Sequence, residues 1–325
     1  MKLKKIKRLA AAGAAMLMTL SLAGCGIGGS SVKLGAAGVG GGYYAFFNAF
    51  AQIASEEDED LDFEVKATAG SSANIRLLSD GYVDMAIAQA DLVDAAYNGT
   101  GATDKKRYRG YSAVASLYTE ACQIVVRADS GIDSLDDLQG KKVSVGEEES
   151  GTQRNAEQIL KMTGLVESLV DTVNLDYVDA ANELKSGQID AFFCTAGIQT
   201  SVIEELSKEC DVKLIGIDDK CKDRLKSVYG FYTDYTIPAG TYEGQDQDVE
   251  TLGIRAVLLA RDDMDEEIVE ELTGLLFEHS QDIQYSIALT FQIDENEAVK
   301  NVTIPFHDGA KAYYQKKGIE IPAEQ

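Results

Sequence analysis

The sequence predicts an α/β protein of two lobes, each with a mostly parallel sheet, around a cleft. Three observations carry this. Short alternating runs rich in Val, Ile and Phe are followed again and again by runs with helical period. The junctions between them are rich in Gly, Ser and Thr. Two apolar stretches, 121–128 and 252–260, are placed to carry the chain to a second sheet and back.

The elements follow in order. Residues 32–38 form a strand, and the glycine-rich turn through Gly40, Gly41, Gly42 and Tyr43 leads into a helix over 45–54. The acidic run 56–60 is a solvated loop. Residues 63–68 alternate as a strand; Gly70 turns the chain, and Ser71 or Ser72 caps a helix carrying Ile75, Leu77 and Leu78. Gly81 ends that helix, and Val83, Met85 and Ile87 make the next strand, with Gln89 and Asp91 at its exit. A helix over 91–99 follows. Two consecutive strands, 111–117 and 121–128, flank Tyr118, Thr119 and Glu120. The second lobe then repeats the plan: a short helix at 135–140, a strand at 142–146, small hydroxyl residues at 150–152 and a helix over 153–161. Strands at 175–178, 191–196 and 212–217 complete it, with a helix over 180–186. After a loop at 237–242 and the return strand come an amphipathic helix over 265–277 and a last helix over 310–317.

Residues 1–24 read as a secretory leader. Lys2, Lys4, Lys5, Lys7 and Arg8 precede an apolar, Ala-rich run, 9–22, that ends in Leu22, Ala23, Gly24 and Cys25. About 14 apolar residues are too few to span a bilayer, which needs ~20. The chain therefore divides into a leader (1–24), a tether (25–31), a first lobe (32–122), a second lobe (123–253) and a return to the first (254–325), with hinge strands near 123–126 and 254–258. Without the leader, which holds five positive charges and no acid, the formal charge falls from −24 to −29. Such a surface argues against nucleic acid and against electrostatic attachment to anionic lipid. Cys122, Cys194, Cys210 and Cys221 are read as structural. An extended run between Cys210 and Cys221 holds their Cα atoms beyond the ~7 Å reach of a disulfide.

Binding is expected at the strand-to-helix junctions, where helix N-termini leave N–H groups unpaired. Gly41, Gly42 and Tyr43 offer backbone donors and an aromatic wall. Ser71, Ser72 and Asn74 cradle one end of a ligand, Gln89 supplies specificity, and Ser150, Gly151 and Thr152 are the second lobe's donors. Arg76 and Arg154 lie near these helix starts but are assigned to surface ion pairs. Nothing points to an enzyme, a metal or a cofactor. His279 and His307 are the two histidines, there is no H-E-x-x-H, no G-x-S-x-G and no Walker lysine, and among 54 acids spacing carries no information.

Several phrases together resemble the TAXI-type solute-binding proteins of tripartite ATP-independent periplasmic (TRAP) transporters. They are GGGYYAFFNAFA at 40–51, TAGSSANIRLLSDGYVDMAIAQADL at 68–92, LYTEACQIVVRADSGIDSLDDLQGKKVSVG at 117–146, SGTQRNAEQIL at 150–160, IPAGTY at 237–242 and HDGAKAYYQKKG at 307–318. The resemblance implies a type II periplasmic-binding-protein fold. It also implies delivery of a small carboxylate or amino acid, glutamate-like or a dicarboxylate, to an ion-gradient-driven membrane permease. The leader's end resembles a lipobox, which implies cleavage before Cys25 and acyl chains on its thiol, so that the protein is lipid-anchored outside the cytoplasm. A sensor lipoprotein of the same fold is the alternative. Two departures stand out: Ala36 lies where the family tends to have Thr or Ser, and Glu147, Glu148 and Glu149 precede the Ser-Gly-Thr where it tends to have small residues. Three carboxylates there repel an anion by roughly 1 kcal/mol each at ~4 Å in water. Either they face solvent, the reading adopted, or the ligand is zwitterionic, cationic or ion-bridged.

Overall fold

Alternating apolar positions put three parallel strands together at the start of the chain. In the computed structural model these are β1 (Val32–Gly35), β2 (Phe63–Lys66) and β3 (Met85–Gln89), with β1 between the other two. The structure describes residues 31–101, 105–166, 168–287 and 293–322. The leader, Cys25 and the tether up to residue 30 lie outside the described residues. No described helix is long and apolar enough to cross a membrane.

Helices α1 (Gly42–Glu57), α2 (Ser71–Ser79) and α3 (Ala90–Asn98) connect or follow these strands. The Phe46, Phe47 and Phe50 face of α1 is fully buried. Three Phe rings in one turn and a half of helix bury several kcal/mol of apolar surface and fix α1 to the sheet.

The chain then leaves this lobe on β4 (Tyr111–Arg127), a single strand of 17 residues. Two consecutive strands were expected here. The polar stretch around Glu120 does not break the strand, because Thr119, Glu120 and Ala121 keep pairing with Arg255, Ile254 and Gly253 of the returning chain. The second lobe follows with β5 (Lys142–Ser144), α4 (Gly151–Thr163), β6 (Asp171–Val173), α5 (Tyr177–Ser186), β7 (Ala191–Ala196), α6 (Ser201–Glu209), β8 (Val212–Leu214), α7 (Asp219–Val228) and β9 (Thr233–Ile237). The strand expected at 175–178 is instead β6, a few residues earlier. Tyr177 and Val178 open α5, which Asp176 caps by accepting from the Asp179 N–H at 2.8 Å. Around β5, pairing with β6 and β7 is again parallel.

The return strand β10 (Val249–Arg261) runs antiparallel to β4, β3 and β9, with register shifts against β4 near Ala256. Helices α8 (Glu266–Glu278), α9 (Ser280–Ser286) and α10 (Asp308–Lys317) close the first lobe. The sheet is thus parallel within each lobe's βαβ units and antiparallel where long strands tie the lobes together.

Two cores lie along β4 and β10. The first lobe's apolar cluster takes β4 as far as Tyr118 and β10 from Ala256; the second lobe's clusters take Cys122 onward and Leu252 with Ile254. The junction between lobes is therefore two strands wide. The described cysteines, Cys122, Cys194, Cys210 and Cys221, are free, and Cys122 and Cys194 belong to different clusters although their strands are adjacent.

Candidate functional site

Three helix N-termini with glycine or serine caps meet at this junction, beside the Asp176-capped start of α5. Each begins directly after a strand or its turn, and the first turn of an α-helix has N–H groups with no carbonyl behind them. Gly41 is the N-cap of α1, Gly70 that of α2 and Ser150 that of α4. Gly41, Gly42, Tyr43, Ser71, Ser150, Gly151 and Thr152 line one pocket between the lobes, with Gln89 at its side. About 40 Å³ of free space remains inside, room for a few waters.

The pocket is small because the lobes are in contact. The Ser72 and Ala73 N–H groups donate to the Glu149 carbonyl of the other lobe at 3.0 and 3.2 Å. Glu149 holds a left-handed backbone, φ 64°, to present it. Its carboxylate also pairs with both Arg76 Nε and Nη2, at 3.1 and 2.7 Å. Gln89 Nε2 donates to Asn155 Oδ1 at 3.0 Å, and Ser201 Oγ donates to the Gly40 carbonyl at 3.1 Å. Gly70, at φ 116°, lies against Ser150, where a Cβ would fall 3.5 Å from the Ser150 Cα, and Gly151 lies under the Gln89 amide: a Cβ there would fall 2.5 Å from Gln89 Cδ. Only glycine fits between the lobes at that point.

Two residues singled out in the sequence are placed elsewhere. Asn74 is spent inside the first lobe, donating to the Ile87 and Ala36 carbonyls and accepting from Thr68 Oγ1 at 2.7 Å. Ser72 lines a separate groove, and its contribution to closure is its backbone N–H. Neither serine caps α2; Ser71 Oγ instead accepts from the Gln89 N–H at 3.1 Å. Thr152 Oγ1 sits 2.6 Å from the Tyr177 hydroxyl and accepts from the Thr195 N–H at 3.2 Å, which braces one wall of the pocket.

Sequence reasoning did not assign Glu120, Asp176, Tyr177 or Thr195 to the site and assigned Glu147 to solvent; all five line the pocket. Of the three glutamates expected in solvent, Glu148 is exposed, Glu149 is held by Arg76, and Glu147 turns to the pocket. Partial burial, and then Asp176, raise the Glu147 carboxyl. Glu120 is 2% exposed and projects from the middle of β4. Burial pushes its carboxyl up to about 8, offset in part by bonds from the Tyr43 hydroxyl at 2.6 Å and Gln89 Nε2 at 3.5 Å. Among the described residues, no lysine, arginine or histidine lines the pocket. His307 caps α10, its Nδ1 accepting from the Gly309 N–H at 3.1 Å, and lies in the first lobe's last helix.

The family model of the NMT1-like family matches residues 34–318. The chain belongs to the NMT1-like family. Solved structures share its fold at low identity. A Bordetella bronchiseptica protein is 17% identical with a TM-score of 0.57, covering 89% of this chain and 98% of its own. PhnD1 of Prochlorococcus marinus, solved with methylphosphonate, is 13% identical with a TM-score of 0.56 over the same shares. A Xanthomonas citri protein bound to ATP is 12% identical with a TM-score of 0.50, covering 89% and 99%. This NMT1-like chain thus has the two-lobed α/β fold of periplasmic binding proteins.

Proposed function

We propose that this NMT1-like protein is an extracytoplasmic solute-binding subunit of a TRAP-type transporter. It captures a small carboxylate or amino acid between its lobes and hands it to an ion-gradient-driven permease. The observation that carries the reading is the convergence of three helix N-termini on one pocket between lobes that latch shut. Each N-terminus offers partial positive charge, and α1 and α4 add first-turn donors, while α2 has given its Ser72 and Ala73 N–H groups to Glu149; a ligand carboxylate is thus held without a basic side chain. The lobes, taken as 32–122 with 254–325 and as 123–253, rotate about β4 and β10 where their cores change over. Ligand contacts with both lobes stabilise the closed form, and only such differential contacts shift the equilibrium. Acyl chains on Cys25 hold the protein at the membrane.

The choice of a TRAP permease rests on the ordered phrases quoted above. Calorimetric titration of the unit Val32–Gln325 with carboxylates and amino acids tests the binding reading. Saturable binding that disappears in Gly151→Val supports it, and binding untouched by that substitution removes the pocket from the account. Co-purification of the full chain with a neighbouring multi-span permease tests the transport reading; capture of a histidine kinase instead favours a sensor.

A further inference from the structure

Within that reading, the floor of the pocket narrows the class of solute. Glu120 and Gln89 are each 2% exposed and face the same space. The orientation of the Gln89 amide is set by a chain of bonds leading away from the pocket. The Tyr232 hydroxyl donates to Gln158 Oε1 at 2.5 Å, and Asn155 Nδ2 donates to the Tyr232 oxygen at 2.9 Å. Asn155 must then present Oδ1 to Gln89, which takes Gln89 Nε2 at 3.0 Å. Gln89 Oε1 is left buried with no partner among the described residues. A buried amide oxygen without a donor costs about 1–3 kcal/mol, so the closed pocket is short of a hydrogen-bond donor at this spot.

Glu120 has the same need. Its bonds from Tyr43 and Gln89 both fall on Oε2, which leaves Oε1 for a guest. Tyr43 and Gln89 touch Glu120, and the other groups that act on it electrostatically are Tyr118, Asp91, Cys122, Tyr177 and Cys194; none of these is a cation. Burial alone keeps a proton on Glu120; a cationic guest takes the place of that proton, because a buried carboxylate calls for a partner of opposite charge.

We propose that Glu120 and Gln89 Oε1 form an ammonium seat, so that the solute is an amino-acid-like zwitterion whose carboxylate lies on the helix N-termini and whose –NH3⁺ lies on these two acceptors. An ammonium brings three donors and no acceptor. A second carboxylate or a phosphonate brings acceptors alone and would leave Gln89 Oε1 unpaired. The inference rests on the pocket being the solute site, and its test separates the two ideas.

The unit Val32–Gln325 is titrated with matched pairs differing only in the amino group: alanine against propionate, and glutamate against glutarate, with methylphosphonate alongside. The seat predicts that an amino acid binds about 100-fold or more tightly than its deaminated partner, as sites built around a hydrogen-bonding group discriminate strongly. It also predicts that Glu120→Gln, checked for a retained thermal transition, loses about 30-fold or more for the amino acid. If the deaminated acid or the phosphonate binds as tightly as the amino acid and Gly151→Val abolishes that binding, the pocket stands and the ammonium seat is refuted. If Gly151→Val leaves amino-acid binding intact, the pocket reading fails and the seat falls with it. The wild-type comparison decides the matter even if Glu120→Gln does not fold.

Discussion

Glu120 decides more about this site than any residue that the sequence motifs exposed. It was hidden among 54 acids, and its one distinguishing mark was position: a lone acid inside the apolar run 113–126. Its burial has a consequence for stability. A glutamate ordinarily titrates near 4.5, and in the folded protein Glu120 titrates near 8. Between those values the native state holds a proton that the unfolded state has released, so stability falls as pH rises through that window. Glu120→Gln is expected to remove that slope: urea denaturation at pH 5 and pH 8.5 should show the variant gaining on wild type at the higher pH. Equal differences at both pH values would mean that Glu120 is not the group responsible. Gly151 gives a second test at this scale. Gly151→Ala puts a methyl group into the Gln89 amide, so solute affinity should drop at least about tenfold, since displacing a packed side chain costs roughly 1–3 kcal/mol. Each lobe should still fold, as judged by far-UV circular dichroism.

Among the elements, those with a strong period were legible, and those shaped by the meeting of the lobes were not. The strand at 191–196 matches β7 residue for residue, and the helix expected over 265–277 is α8 displaced by one residue. By contrast β4 was split in two, because a polar residue serving the pocket looks the same as a break. Helix α7 was not foreseen: DKCKDRLKSV offers only Cys221 and Leu225 as apolar anchors, and its start rests on the Asp218 cap, which accepts from the Cys221 N–H at 3.0 Å. Strand β9 shows mostly exposed side chains, so no alternation marked it. The junction motifs were visible as Gly, Ser and Thr before a helix. Their division into pocket donors and scaffold was not, because Ser72 and Asn74 differ from Ser71 only in which way the first turn of α2 points them. One latch can be graded from its exposure. Arg76 and Glu149 are 38% and 48% exposed, so their pair is worth under about 1 kcal/mol. Arg76→Ala should weaken solute binding less than about fivefold, and the loss should shrink in high salt. A loss of a hundredfold would give that pair a role beyond closure.

For the whole molecule, two features cooperate. The antiparallel pairing of β4 with β10 joins two separate cores, and the register of that pairing shifts near Ala256, where the cores change over. The pocket sits beside that changeover, where the proposed rotation of the lobes would open or seal the site. The central claim is that solute and closure are the same event. Small-angle X-ray scattering of the unit Val32–Gln325, with and without the tightest-binding amino acid of the titration panel, tests this most directly. The radius of gyration should contract on saturation, and the bound curve should fit the closed arrangement of the lobes. An unchanged curve, with binding heat measured on the same sample, would contradict it.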